Sequence, residues 1–158
     1  VIVWQEGTGM RRIFIDADKC DGCKNCSIAC MNAHRTDGGD SVYTLDLNDP
    51  ANESRNFIRL DGEGHYKPIF CRHCDVPMCA GSCMSGALQK DLKTGLVTYD
   101  GDRCGSCYMC VMNCPYGVPK PDRVSRTKVI KCDFCKDKGG EPSCVKACPK
   151  KAIWVEEV

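Results

Sequence analysis

Four times along this chain, four cysteines recur at short intervals, and no cysteine falls outside these runs. Cys20, Cys23, Cys26 and Cys30 follow the spacing C-x2-C-x2-C-x3-C. Cys71, Cys74, Cys79 and Cys83 widen the middle gap to four residues. Cys104, Cys107, Cys110 and Cys114 repeat the first spacing and precede Pro115, while Cys132, Cys135, Cys144 and Cys148 open the gap to eight and precede Pro149. Sixteen cysteines in 158 residues is a density found where sulfur cross-links organise the chain. With four Phe, five Tyr and two Trp there is no large aromatic core. A mean hydropathy of −0.34 leaves hydrophobic burial short of ordering every loop.

Disulfides would need an oxidising compartment and a route to it. The run Val1-Ile-Val-Trp4 is too short for the apolar core of a secretion signal, and no stretch reaches the length of a membrane span. Arg11-Arg12 followed by Ile13-Phe-Ile15 has the look of a twin-arginine signal, but its alternation runs straight into Cys20 and reads better as a strand. The expectation is therefore a reducing cytoplasm in which thiolates hold metal.

Three cysteines at short intervals let a tight loop wrap one [4Fe–4S] cube, with backbone N–H groups aimed at its sulfurs. The fourth follows three residues later, where a helical turn starts. Its side chain points away, and in two-cluster ferredoxins such a cysteine ligates the other cluster. Gly22, Gly105 and Ser106 permit close backbone approach. Each motif thus needs a partner with which to exchange its fourth cysteine. Between motifs two and three, Ala87-Leu-Gln-Lys90 and Gly95–Asp100 read as a hairpin around the turn at Asp91. Motifs one and four must then pair across it, closed by strands at Arg12–Asp16 and Ala152–Glu156.

The expected fold is α+β: two nested ferredoxin-like 2×[4Fe–4S] modules with short antiparallel strands and short helices. Residues 1–30 with 115–158 form the outer module, 71–114 the inner one, and 31–70 a loop-rich insertion that packs over the clusters or against a partner. The expected ligand sets are Cys20, Cys23, Cys26 and Cys148; Cys132, Cys135, Cys144 and Cys30; Cys71, Cys74, Cys79 and Cys114; and Cys104, Cys107, Cys110 and Cys83.

The pattern resembles the four-cluster iron–sulfur subunits of the DMSO reductase type, from about Arg12 to the C-terminus. Cys71-Arg-His-Cys-Asp-Val-Pro-Met-Cys79, Cys110-Val-Met-Asn-Cys-Pro-Tyr-Gly117 and Lys131-Cys-Asp-Phe-Cys135 support it. The resemblance implies the same nested pairing and an electron-transfer subunit beside a larger catalytic subunit with a metal cofactor. Tungsten or molybdenum oxidoreductases (formate dehydrogenase and tungsten aldehyde oxidoreductase among them), carbon monoxide dehydrogenase and hydrogenase all fit. A flavin or ferredoxin electron partner would stand at the other end of the relay. Motif two departs from many relatives in ending Cys83-Met84 rather than Cys-Pro, which predicts a looser turn there.

Catalysis is not expected. A Gly-x-Gly-x-x-Gly after a strand and a Gly-x4-Gly-Lys are both missing, and Gly62-Glu-Gly64 alone is a weak nucleotide signal. A cube with four cysteine ligands has no open iron. His34, His65 and His73 are surplus to four closed sites, and Phe70, Phe134, Tyr108 and Tyr116 read as apolar cover. Trp4 reads as an anchor or interface residue. Zinc is the competing ligand, but its sites use two separated cysteine pairs, whereas motifs one and three each bunch four cysteines. Net charge +1 gives no pull toward nucleic acid or a membrane surface. The charge is uneven: residues 31–70 carry seven acids against four bases, and 115–151 ten bases against four acids. That imbalance fits an ordinary solvated surface or a docking face for an acidic partner.

Overall fold

The computed structural model describes residues 10–139 and 141–158, so Trp4 lies outside the described residues. Eight short strands and four short α-helices are present among them, with 3-10 turns between. Strand β1 (Arg11–Ile15) pairs antiparallel with β8 (Ile153–Glu157), Ile13 opposite Val155 and Phe14 opposite Trp154. The alternation explains the sheet. Ile13 and Ile153 turn inward and are buried, while the rings of Phe14 and Trp154 stack 6.1 Å apart on the other face. Both strands lie one residue from where they were expected. Asp16 leaves β1 because its carboxylate caps a 3-10 turn, accepting the N–H of Asp18 at 3.2 Å. Asp100 does the same ahead of Cys104, accepting the N–H of Asp102 at 3.0 Å.

The hairpin between motifs two and three is β4 (Leu88–Lys90) against β5 (Val97–Tyr99). Asp91 shapes its turn by accepting the Lys93 N–H and the Thr94 hydroxyl. Residues 31–70 are not loop throughout. Strands β2 (Phe57–Leu60) and β3 (Tyr66–Ile69) form a second hairpin, whose turn Asp61 closes by accepting the N–H groups of Glu63 and His65, both at 2.9 Å. Pro68 is tolerated in β3 because a two-stranded sheet is all edge. A minimal pair, β6 (Lys120–Pro121) with β7 (Val129–Ile130), leads into motif four.

Each motif launches a short helix: α1 (Asn25–Ala33), α2 (Met78–Gly81), α3 (Met109–Asn113) and α4 (Ser143–Lys146). Helix α1 packs on α4, and α2 on α3. The helices begin before the fourth cysteine. Cys26, Cys79, Cys110 and Cys144 sit in the first turn, and the fourth cysteine follows four residues later; Cys30 is still within α1, whereas Cys83, Cys114 and Cys148 lie at or past the ends of their short helices.

Two cores result. Ile13, Phe70, Leu96, Phe134, Val145 and Ile153 gather around Cys26 and Cys144. Leu88, Val97 and Val129 gather around Cys110. Leu96 and Val97 are consecutive, and extended backbone sends them to opposite faces, so one strand serves both cores.

Candidate iron-sulfur sites

The four loops share a backbone turn that the spacing alone does not display. The residue before the second cysteine has a left-handed φ in every motif: Gly22 at +74°, His73 at +43°, Ser106 at +57° and Phe134 at +62°. Three of these are not glycine, and a bulky side chain in that region costs about 1–3 kcal/mol unless the surroundings enforce it. The same reversal in four different sequences marks four copies of one wrap.

Around those wraps the structure places the cysteines in mixed company. Cys20, Cys23 and Cys26 line one hollow together with Cys148, roofed by Ile58 and Pro68 of the second hairpin. Cys132, Cys135 and Cys144 line another with Cys30, walled by Phe70 and Phe134. For motifs two and three the thiols themselves report their neighbours. Burial pushes the Cys79 thiol up to about 11; Lys131 opposes this, and Cys71 and Cys114 add to it. Burial likewise raises Cys110, with Cys83 and Cys104 adding. Burial lifts Cys26 to about 11, and Cys148 and Cys20 lift it further.

All sixteen thiols are free. An all-sulfur donor set whose members repel one another as thiolates calls for a cationic core, and metal binding is what deprotonates such thiols. The residues therefore fit iron–sulfur groups. Backbone donors are in place too. Cys30 Sγ accepts the Arg55 N–H at 3.3 Å, Cys83 that of Leu88 at 3.4 Å, Cys132 that of Phe134 at 3.4 Å, and Cys148 that of Ala152 at 3.3 Å. Such bonds to ligand sulfur favour the more reduced state.

The turns after the fourth cysteine are alike. Gly86, Gly117 and Lys151 each donate N–H to the carbonyl of Cys83, Cys114 and Cys148, at 3.2, 3.1 and 3.3 Å. Motif two is thus no looser for having Met84 in place of proline, because Gly86 takes the left-handed conformation that closes the turn.

Polar residues that carry no motif signal complete the sites. His34 donates from Nδ1 to the Cys30 carbonyl at 2.8 Å and from Nε2 to Asp133 at 3.1 Å. Both partners only accept, so both ring nitrogens carry hydrogen and neither is free to ligate metal. Burial opposes that charge, but Asp133 and Cys30 outweigh it and hold the pKa up to about 10. Asp133 also receives Arg55 at 2.7 Å. This places His34, Asp133 and Cys135 close together at the edge of the second hollow. His73 behaves oppositely. Its Nδ1 accepts the Val97 N–H at 2.9 Å, and burial, reinforced by Lys131 and Lys90, pushes its pKa down to about 2. The expected aromatic cover holds for Phe70 and Phe134, which are buried. Tyr108 instead donates its hydroxyl to the Arg126 carbonyl, and Tyr116 lies under the Arg72 guanidinium.

The acidic insertion and the basic segment partly neutralise each other. Glu53 faces Lys120 and Arg123 at 3.7 and 3.9 Å, besides the Arg55–Asp133 pair. Lys120 also donates to the Ser54 carbonyl at 2.7 Å, and Asn56 accepts the Ser27 hydroxyl at 2.8 Å. Residues 31–70 therefore lie over motif one and are tied to motif four.

A family described as "4Fe-4S dicluster domain" matches residues 63–158, more than half of the chain. This chain belongs to that family. It is an iron–sulfur electron-transfer protein. The probable anaerobic dimethyl sulfoxide reductase chain YnfG of Escherichia coli (strain K12) is 35% identical over 147 residues, covering 89% of this chain and 70% of that protein. Hydrogenase-2 operon protein HybA of Escherichia coli O157:H7 is 33% identical over 167 residues, covering 92% of this chain and 51% of that one. Among solved structures, a chain of the active site complex BamBC of benzoyl coenzyme A reductase as isolated aligns with a TM-score of 0.50 at 28% identity, covering 94% of this chain and 78% of that chain. The resemblance to iron–sulfur subunits of the DMSO reductase type thus agrees with these relatives. Among the described residues no helix is long and apolar enough to cross a membrane.

Proposed function

We propose that this chain is the electron-relay subunit of a cytoplasmic oxidoreductase complex and holds four [4Fe–4S] clusters in crossed cysteine sets. The observation that carries the reading is the hollow in which Cys148 joins Cys20, Cys23 and Cys26, with its counterpart joining Cys30 to Cys132, Cys135 and Cys144. The neighbours of Cys79 and Cys110 support the same exchange between motifs two and three. The chain is thereby two nested ferredoxin-like modules, residues 1–30 with 115–158 outside and 71–114 inside, with 31–70 as cover.

Bound clusters would supply one-electron redox chemistry. The protein's own contribution is to place the sets in file. Cys144 lies near Cys26 as well as its own set, and Cys132 near Cys71, so the order runs from the Cys20 set through the Cys132 and Cys71 sets to the Cys104 set. Phe70, Phe134 and Ile58 keep water from the first two. A larger catalytic subunit with a metal cofactor stands at one end: a tungsten or molybdenum oxidoreductase, a carbon monoxide dehydrogenase or a hydrogenase. A flavin or ferredoxin carrier stands at the other. The named complexes of the relatives support this class of partner.

Anaerobic isolation with metal analysis tests the reading. About sixteen irons per chain, together with a co-eluting metalloenzyme, is the expected result. Zinc in place of iron would refute it, and sixteen irons without a partner would make the chain a free carrier.

A further inference from the structure

Lys131 is the most enclosed cation in this arrangement. It follows β7 directly, precedes Cys132, and is only 4% exposed. Its Nζ donates to the Val97 carbonyl at 2.8 Å, to the Cys132 carbonyl at 2.9 Å and to Cys71 Sγ at 3.6 Å. An ammonium has three hydrogens and accepts nothing, so three acceptors saturate it. Among the described residues no carboxylate lies within ion-pair distance of it. The nearby Asp133 is engaged by Arg55 and His34.

A buried charge without a counter-charge is costly, and natural proteins pair such groups. The anions available to Lys131 are cysteine sulfurs. It touches the first cysteine of motif two and adjoins the first cysteine of motif four.

Lys90 makes a useful contrast. Its Nζ donates to the carbonyls of His73, Cys74 and Gly95 at 2.9, 2.8 and 2.7 Å. Those carbonyls belong to the motif-two loop and the β4–β5 hairpin, so Lys90 serves one loop where Lys131 serves two.

We propose that Lys131 is a shared counter-cation at the junction of the two halves, raising the reduction potential of the clusters held by the Cys71 and Cys132 sets together. The inference rests on the four-cluster reading. Adding an electron makes a cluster more negative, so a fixed neighbouring cation favours the reduced form of both. In low dielectric that interaction is strong and poorly screened by salt. Lys131 therefore tunes rather than ligates.

The test is redox potentiometry followed by EPR on the anaerobically isolated full chain and its K131Q, K131R and K90Q variants. Glutamine keeps an N–H donor for the carbonyls and removes the charge. The couples are assigned with C79A and C144A, each of which removes one. In K131Q the two assigned couples should fall together, by about tenfold in reduction equilibrium, which is about 59 mV for one electron. The other two couples should hold, K131R should restore both, and K90Q should move only the couple lost in C79A. Sixteen irons with unmoved potentials, or equal movement of all four couples, would overturn the inference and leave the four-cluster reading intact. Loss of iron from K131Q would make the lysine an assembly clip and overturn it too. Fewer than sixteen irons in the unaltered chain would instead sink the four-cluster reading, and this inference with it.

Discussion

The half built from motifs one and four and the half built from motifs two and three each carry eight cysteines but are finished differently. In the first, Cys26, Cys30, Cys135 and Cys144 are buried; in the second, only Cys110 is. The one–four half is roofed by the β2–β3 hairpin and laced by Arg55, Asn56, His34 and Asp133. Beside the cysteines of the two–three half, Val76, Met84 and Met112 are 81%, 86% and 78% exposed. Scattered exposed apolar residues are ordinary, but three beside metal-binding loops are out of place on a free surface. Methionine, flexible and polarisable, suits a contact surface. The difference teaches that one half is covered by its own chain, while the other keeps apolar side chains open beside its metal-binding loops.

The sharpest way to break that comparison is to attack the crossing of the cysteines. Cys20→Ala and Cys148→Ala should each leave about twelve irons, and the double variant should also leave about twelve, because both belong to one set. Eight irons in the double variant would mean that motifs one and four do not exchange their fourth cysteines. A smaller effect should appear on exposing the isolated chain to air. Iron and visible absorbance should be lost in two phases, with the EPR signals of the Cys71 and Cys104 sets fading first. Addition of the catalytic partner should slow only the fast phase, and loss at a single rate would remove the distinction between the halves. The smallest effect concerns the Arg12–Asp75 ion pair, which joins β1 to the motif-two loop. Asp75 is mostly exposed, and exposed pairs contribute about 0–1 kcal/mol. Asp75→Asn should therefore leave the thermal midpoint within a few degrees; a large drop would mean that the halves are held together by surface charge and not by the Leu96–Val97 strand and Lys131.

Much of this was legible from residue order because metal ligation is local. Cysteine spacing dictates the wrap, and the alternation at Ile13, Ile15, Ile153 and Val155 announces the strands that close it. The Asp91–Gly95 turn announced its hairpin in the same way. The β2–β3 hairpin was hidden because Pro68 and a charged, glycine-bearing turn read as irregular chain, and its edges have no third strand to forbid proline. The left-handed φ at His73 and Phe134 was equally hidden, since nothing in those side chains asks for it. Lys131 and Lys90 look like any surface lysine in sequence. Their burial depends on carbonyls and a thiol up to 60 residues away, a relation only the folded chain contains.

The pairing of β1 with β8 also has a consequence for how such a chain comes into being. Ile13 meets Val155, so the strand made earliest among those described waits for the strand made last. At roughly 5–20 residues per second of synthesis, that wait is on the order of ten to thirty seconds. Motifs two and three lie side by side in the chain and are complete while translation continues. Cys20, Cys23 and Cys26 meanwhile stand as bare thiols, without Cys148. The most protected half of the mature molecule is thus the most vulnerable half of the nascent one, and iron delivery to it has to wait until Cys148 and β8 have been made.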